Sequence, residues 1–311
     1  MNSSAKVYVL HENPDWYAPI AAALRAAGLP HEQWLLGEAV IDLEEGPPPG
    51  VFWSRMSASA HTRGHPYAKD QTRGVLAWLE AGGRRVVNGR RVLDLEMSKV
   101  EQLAALRASG FDVPRTIAVA GPGELAAAAR KLPVPFISKH NQGGKGLGVR
   151  LFSSHADFDE YLAGPGYEPP VDGITLLQEY LVATRPLITR AEVVGGEFVY
   201  AITADTARGG FELCPADACA VPAAGAEPEP SLFNLRAGFD HPVLGQYVEF
   251  AARHGIEIAG FEFIETVDGR LVTYDINTTT NYNAEIEAAA PRPALSAVAE
   301  FLGQLLAQVG D

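Results

Sequence analysis

Two cysteines in 311 residues, Cys214 and Cys219, exclude a disulfide framework, and a pair supplies only half the ligands of a structural zinc site. Unreactive loop or core thiols are the reading that fits them. Long apolar runs are missing as well. Hydrophobic residues make up 47% of the chain, yet no stretch is long enough to span a bilayer, and Met1-Asn2-Ser3-Ser4-Ala5-Lys6 leads directly into the strand-like Val7-Tyr8-Val9-Leu10 without a signal core. The expectation is a cytoplasmic protein with no membrane partner. Positive charge is scarce: 25 Lys and Arg against 38 Asp and Glu give a net charge of −13, which argues against a non-specific nucleic-acid surface but leaves room for a local basic pocket for phosphates. Internal repeats, coiled-coil heptads and low-complexity tails are absent, and no Ser/His or Cys arrangement suited to covalent catalysis stands out.

What is present alternates strand and helix. Residues 7–10 read as a strand, Asn13-Pro14 as the cap and first residue of a helix running to about residue 27, and Gly28 as its stop. Short strands follow at 33–36 and 51–53, with the loop Pro47-Pro48-Pro49-Gly50 between them. A helix near 67–81 ends at Gly82-Gly83 before a strand at 85–87. This pattern predicts a small open parallel βαβ sheet. From Asp94, expected to cap a helix holding Lys99, the character changes to a small α+β unit. It has a strand at 116–119, an Ala-rich helix from Pro122 to Lys131, a strand at 135–139 running into a glycine loop, and a returning strand at 149–152. Residues 207–234, rich in Ala, Pro and Gly, read as a lid or as a disordered segment, with the lid favoured. The expected division is 1–93, 94–180 and 181–311, in the α/β (α+β) class.

Three segments carry chemistry. In Lys139-His140-Asn141-Gln142-Gly143-Gly144-Lys145-Gly146-Leu147-Gly148-Val149, four glycines let backbone amides surround phosphate oxygens, and Lys139 closes the preceding strand with a fixed cation. The run is neither a Walker loop, since Lys145 is followed by Gly146 and then a strand, nor a dinucleotide fingerprint, since no helix follows. A flexible hairpin tip is the bland alternative. Next, Leu176-Leu177-Gln178-Glu179-Tyr180-Leu181 is an apolar strand whose backbone suits an adenine edge, although most such strands are only core. Finally, Phe261-Glu262-Phe263-Ile264-Glu265 and Leu271-Val272-Thr273-Tyr274-Asp275-Ile276-Asn277 form a hairpin about Asp268-Gly269. Asp275 and Asn277, two residues apart, leave the same face. With Glu262 they suit Mg²⁺, which takes a few protein oxygens plus water and phosphate; a plain solvated hairpin carries such acids too.

In this order the segments resemble the ATP-grasp superfamily, over about residues 94–283, and within it the branch of ribosomal-protein glutamate ligase, glutathione synthetase and D-alanine:D-alanine ligase. The resemblance implies an ATP-grasp fold behind an N-terminal substrate domain. It implies an ATP-dependent ligase that joins a carboxylate to an amine through an acyl phosphate and releases ADP and phosphate. It also implies Mg²⁺ or Mn²⁺ as cofactor and a homodimer as the usual assembly. By the same resemblance Lys99 and Lys139 bind the α- and β-phosphates, Gly143, Gly144, Gly146 and Gly148 form the phosphate loop, and Gln178, Glu179, Tyr180 and Leu181 contact adenine. Arg190 faces the transferred phosphate, while Glu262, Asp275 and Asn277 ligate the metal.

Some positions depart from that pattern. Ile188-Thr189-Arg190 stands where the glutamate-ligase branch usually has Asp-x-Arg, and Glu262 is longer than the usual Asp. For substrates, expected to be an amino acid or small peptide, Arg55 directly follows a strand of the first sheet, where ligands of open α/β sheets sit, and an arginine fork suits a carboxylate; Arg63 is a second candidate. Asn281 and Asn283, in the run Asn277-Thr278-Thr279-Thr280-Asn281-Tyr282-Asn283, face an acceptor or form a hydrogen-bonded turn. His61 and His65 read as solvated or hydrogen-bonded loop residues more readily than as bases. The alternatives carried forward are an ATP-grasp kinase of small molecules, a carboxylate–thiol ligase and a nucleotide-binding module without turnover.

Overall fold

Asn13 accepts a hydrogen bond from the backbone N–H of Asp15 at 3.1 Å, and Pro14 is the first helical residue behind it, so the first helix starts where its cap demands. The computed structural model describes residues 5–144, 146, 148–210 and 231–309. Cys214, Cys219, Lys145, Leu147 and most of the 207–234 segment lie outside that set. The first sheet comprises β1 (Lys6–His11), β2 (His31–Leu35), β3 (Gly50–Ser54) and β4 (Arg85–Val87), all parallel in the order β2-β1-β3-β4. Helices α1 (Pro14–Ala26) and α2 (Ala68–Ala81) make its crossovers. Every residue of β3 is buried, as in a parallel strand covered on both faces.

Two helices follow, α3 (Arg90–Met97) and α4 (Lys99–Ala108). The expectation that Asp94 caps the helix of Lys99 is corrected here. Asp94 lies inside α3, and the chain turns extended at Ser98, whose hydroxyl accepts from Glu101 N at 3.3 Å and caps α4. Lys99 is therefore the first residue of a capped helix.

The second sheet is antiparallel, with β5 (Thr116–Ala120), β6 (Phe136–His140), β7 (Arg150–Phe152) and β8 (Ile174–Glu179) in the order β5-β8-β6-β7. Helices α5 (Leu125–Ala129) and α6 (His155–Ala163) close its core of Leu125, Phe136, Phe152, Phe158 and Leu177. The Ala-rich helix is thus shorter than the expected span from Pro122 to Lys131.

The third sheet is also antiparallel: β9 (Leu187–Val194), β10 (Glu197–Asp205), then after the short α7 (Thr206–Gly209) the strand β11 (Phe233–Leu235), then α8 (Val243–His254), β12 (Ile258–Glu265) and β13 (Leu271–Asn277). One face carries Ala191, Val193, Phe261, Phe263 and Ile276 into a core with Leu103 and Leu106 of α4 and Tyr247 and Phe250 of α8. Period-two alternation sends Arg190, Glu192, Gly260, Glu262, Asp275 and Asn277 to the other face. After α9 (Ala284–Ala289), the final helix α10 (Ala294–Val309) packs Ala297, Val298 and Leu302 against Val7, Val9 and Trp53 of the first sheet and Ile202 of the third. At roughly 1.5–3 kcal/mol for each large apolar side chain fully buried, this shared core holds the first sheet against the third. Among the described residues no helix is long and apolar enough to cross a membrane.

Candidate active site

Strand register places the chemistry. Glu262 of β12 stands opposite Arg190 of β9 on one side and Asp275 of β13 on the other, so three charged residues form a row across three adjacent strands. The next row along is Glu192, Gly260 and Asn277. A bulge after Glu262 leaves Tyr274 as the extra residue of β13, and its hydroxyl donates to Glu262 Oε2 at 2.9 Å. Burial pushes the Glu262 carboxyl up, and Asp275 beside it pushes the same way, against the pull of Arg190 and Lys99. The Arg190 side-chain stem crosses Gly260: a Cβ there would lie 2.8 Å from Arg190 Cδ. Its Nε donates to Glu192 Oε1 at 2.6 Å and its Nη2 to the Asn281 carbonyl at 3.0 Å.

Two lysines approach this face from other elements. Lys99 Nζ lies 2.5 Å from Asp275 Oδ1. Burial alone would lower its pKa, but Asp275 outweighs burial and holds the ammonium charged. Lys139, on β6, is buried, and desolvation together with the like charge of Lys99 brings it down to about 8. Among the described residues no carboxylate or carbonyl holds its ammonium, so a strong anion site stands prepared. Asn141, two residues on, ties this strand to the helix of Lys99: its Oδ1 accepts from Val100 N at 2.8 Å and its Nδ2 donates to Asp172 Oδ2 at 2.7 Å. The glycine loop then meets the first domain, where a Cβ on Gly144 would lie 3.4 Å from Ser59.

Lys99, Lys139, Arg190, Glu262, Tyr274, Asp275 and Asn277 line one cavity of about 560 Å³. Its lining includes Gln178, Glu179, Tyr180 and Leu181 of β8 and the residues after it, with the apolar Ile137, Leu151 and Ile264. The Glu179 carboxylate is engaged structurally, accepting from Arg115 N at 2.9 Å and from Arg270 at 3.4 Å. The lining also includes the glycines Gly143, Gly144 and Gly146; Gly148 lies on the same loop. From α1, the loop after β3, α3 and the turn after β13 come Trp16, Ser57, Ser59, Glu96, Thr279 and Asn281.

Glu96 is a site residue that sequence reasoning missed. Its Oε2 accepts from Thr278 N at 2.9 Å and Thr278 Oγ1 at 2.7 Å, and its Oε1 from Ala58 N at 3.3 Å. Burial raises this carboxyl to about 7. Glu192, Asn141 and Tyr274 were missed too; the first two had a signal, since each stands two residues after a residue already singled out and so shares its strand face or edge.

In place of a free fork facing the cavity, Arg55 is 2% exposed and its Nη2 donates to the carbonyls of Thr280 at 2.7 Å and Thr279 at 3.4 Å and to Asn281 Oδ1 at 3.1 Å. Arg63 pairs with buried Glu12, donates to Ser59 Oγ at 2.8 Å and stacks over Trp16. Asn283 caps α9, accepting from Glu285 N and Ile286 N, and its side chain is buried. His61 Nδ1 lies 3.1 Å from the Ala58 carbonyl.

Two carboxylates and an amide on one strand face, beside three cations, fit a metal-bound polyphosphate. Phosphate and water oxygens complete the coordination of a hard cation that the protein alone does not enclose. Among the described residues no three His, Cys, Asp or Glu side chains converge.

No family model matches the sequence, and no curated protein matches it. Solved structures do. The ATP-grasp ligase PsnB, complexed with a minimal precursor, is 18% identical with a TM-score of 0.68 over 97% of this chain and 99% of that one. The RimK domain ATP-grasp protein of Sphaerobacter thermophilus is 18% identical with a TM-score of 0.63 over 96% and 99%. The D-cycloserine synthetase DcsG is 16% identical with a TM-score of 0.66 over 96% and 99%. PsnB has also been solved with Mg and ADP.

Proposed function

Taking the ATP-grasp fold of this chain as the premise, we propose that it is an ATP-dependent carboxylate–amine ligase. The observation that carries the reading is the row Arg190–Glu262–Asp275 meeting Lys99 and Lys139 in one cavity. In this reading residues 1–93 bear the substrates, 94–180 cover the nucleotide and supply the lysines and glycine loop for its phosphates, and 181–311 hold the metal.

Adenine takes the slot at Gln178, Glu179, Tyr180 and Leu181, and Lys99, Lys139 and the glycine loop take the phosphates. Mg²⁺ or Mn²⁺, held by Glu262, Asp275 and Asn277 with phosphate oxygens, supplies charge neutralisation on the polyphosphate. Lys139 and Arg190 face the transferred group, where preset cations lower the barrier without reorganising. A carboxylate oxygen bonds to the γ-phosphorus as the bond to ADP breaks. The amine nitrogen then bonds to the acyl carbon, the carbon–oxygen bond to phosphate breaks, and of the ammonium's two departing protons one goes to phosphate and one to solvent. Gly144 seated on Ser59 keeps water from the acyl phosphate. The acid and amine are small molecules or parts of a peptide; the peptide option is supported by PsnB, whose complexes hold a precursor.

The test is a screen for ADP release over amino acids, small acids and peptides, with mass spectrometry of the product and ¹⁸O in the substrate carboxylate. ADP in step with amide, and one ¹⁸O in the released phosphate, are expected. AMP, or phosphate free of label, overturns the mechanism. ADP with a phosphorylated product points to a kinase instead.

A further inference from the structure

The part of the cavity lining contributed by α1, the loop after β3, α3 and the turn after β13 has one charged side chain, Glu96, beside the neutral Trp16, Ser57, Ser59, Thr279 and Asn281. The geometry points to an acceptor subsite in which Glu96 holds a primary ammonium, and which selects amines that carry no free carboxylate near the reacting nitrogen. This rests on the ligase reading and names its amine.

Glu96 is partly accessible from the cavity, and its two oxygens are unequally engaged. Oε2 takes both donors of Thr278 at 2.7 and 2.9 Å, whereas Oε1 takes one backbone amide at 3.3 Å. A carboxylate offers about four lone-pair sites, so Oε1 retains capacity for a charged donor. Ser57 and Ser59, whose hydroxyls lie 3.0 Å apart, and the Asn281 amide offer further acceptors to an ammonium.

The cations that would receive a carboxylate are committed elsewhere. Arg55 is spent on the carbonyls of Thr279 and Thr280, and Arg63 on Glu12 and Ser59; neither lines the cavity. Lys99 is paired with Asp275, Lys139 stands at the glycine loop, and Arg190 is braced on Glu192 and the Asn281 carbonyl. A carboxylate placed beside Glu96 would meet a like charge, while the cations that act on Glu96, Lys99 and Arg55, are already held by Asp275 and by the carbonyls of Thr279 and Thr280, and Lys139 is taken by the phosphates of the nucleotide, which is how a site rejects a near-match. Alkylamines, diamines and the amino groups of peptides fit; free α-amino acids do not.

The subsite is tested with butylamine against 4-aminobutyrate, which share a primary ammonium and differ by a carboxylate. Ligand-observed NMR on the full chain loaded with a non-hydrolysable ATP analogue and Mg²⁺ is expected to show butylamine bound, undisplaced by 4-aminobutyrate, and at least tenfold weaker with Glu96→Gln. With the acid found in the ADP screen, Glu96→Gln is expected to lower the ratio of amide to hydroxamate at least tenfold when butylamine competes with hydroxylamine, which is uncharged at neutral pH. A damaged fold lowers both products and leaves the ratio in place; a lost ammonium contact moves the ratio. Displacement by 4-aminobutyrate, butylamine binding indifferent to Glu96→Gln, or an unchanged ratio overturns the proposal. Absence of ADP with every acid, hydroxylamine included, sinks the ligase reading instead, and the NMR arm still decides the subsite.

Discussion

Arg190 and Glu192 stand two residues apart on β9, and Arg190 Nε donates to Glu192 Oε1 at 2.6 Å, both side chains buried. Thr280 Oγ1 adds a donor to the same oxygen at 3.1 Å. Burial raises the Glu192 carboxyl and Arg190 opposes it, while Glu192 and Glu262 together keep Arg190 charged despite its own burial. The brace exists because Gly260 leaves space for the guanidinium stem. Gly260→Ala would set a Cβ 2.8 Å from Arg190 Cδ and push the side chain off its brace. The expected outcome is a fall in kcat of at least about tenfold with a small change in KM for ATP, the mark of lost transition-state stabilisation. Steady-state ADP release decides it; an unchanged kcat in a folded variant removes Arg190 from the chemistry.

Asp275 shares its carboxylate between Lys99 and the cavity, so removing its charge frees Lys99 and weakens the metal set at once. Asp275→Asn and Asn277→Ala are each expected to lose about 3 kcal/mol or more of transition-state stabilisation while the fold survives. Activity titrated with Mg²⁺ and Mn²⁺ checks this. Product formed without metal by a folded Asp275→Asn protein would show that the acids are not ligands.

Much of this site was legible because it obeys strand periodicity. The spacing of Asp275 and Asn277 puts both on one face, and Asn13-Pro14 and Asp268-Gly269 carry their own punctuation. What escaped depended on contacts distant in sequence. Asp94 offered a capping side chain as good as Ser98, and only the break at Ser98 decides between them. Tyr274 enters the cavity through a bulge that no alternation pattern predicts. Glu96 gains its place from Ala58 and Thr278, and Arg55 its partners from residues more than 220 positions later. Residues 207–234 leave the lid expectation mostly outside the described set.

Lys139 gives the pH dependence a definite sign. Burial and Lys99 lower it from 10.5 to about 8, so in the free enzyme the ammonium is charged below that value and neutral above it. Because kcat/KM for ATP reports the free enzyme, it should hold level up to about pH 8 and then fall by up to about tenfold per unit. Lys139→Arg should move this limb upward, since a guanidinium stays charged, and Lys139→Ala should cost at least about a hundredfold in kcat/KM. Stability runs the other way: the unfolded chain holds this proton more tightly, so the penalty of burying the charge is relieved as pH rises from about 8 towards 10.5. A level kcat/KM profile through pH 9 would exclude a functional role for this titration.

Arg55 separates two roles by a single substitution. As a fork for a substrate carboxylate it would be dispensable to the fold; as found, it joins the end of β3 to the turn after β13 through the carbonyls of Thr279 and Thr280 and the amide of Asn281. It also lies over the Trp53 ring at 5.1 Å, and burial lowers it to about 10, a sign of how far it sits from water. Arg55→Met keeps most of the stem and removes the donors, leaving buried carbonyls without partners at about 1–3 kcal/mol each. The expected loss of unfolding free energy is therefore about 2–5 kcal/mol in urea titrations, with an unchanged slope. Because the same carbonyls belong to the turn that presents Thr279 and Asn281 to the cavity, KM for the amine should rise in parallel while KM for ATP stays within about threefold. Full stability combined with a raised KM for the acid alone would return Arg55 to the substrate and undo the clamp.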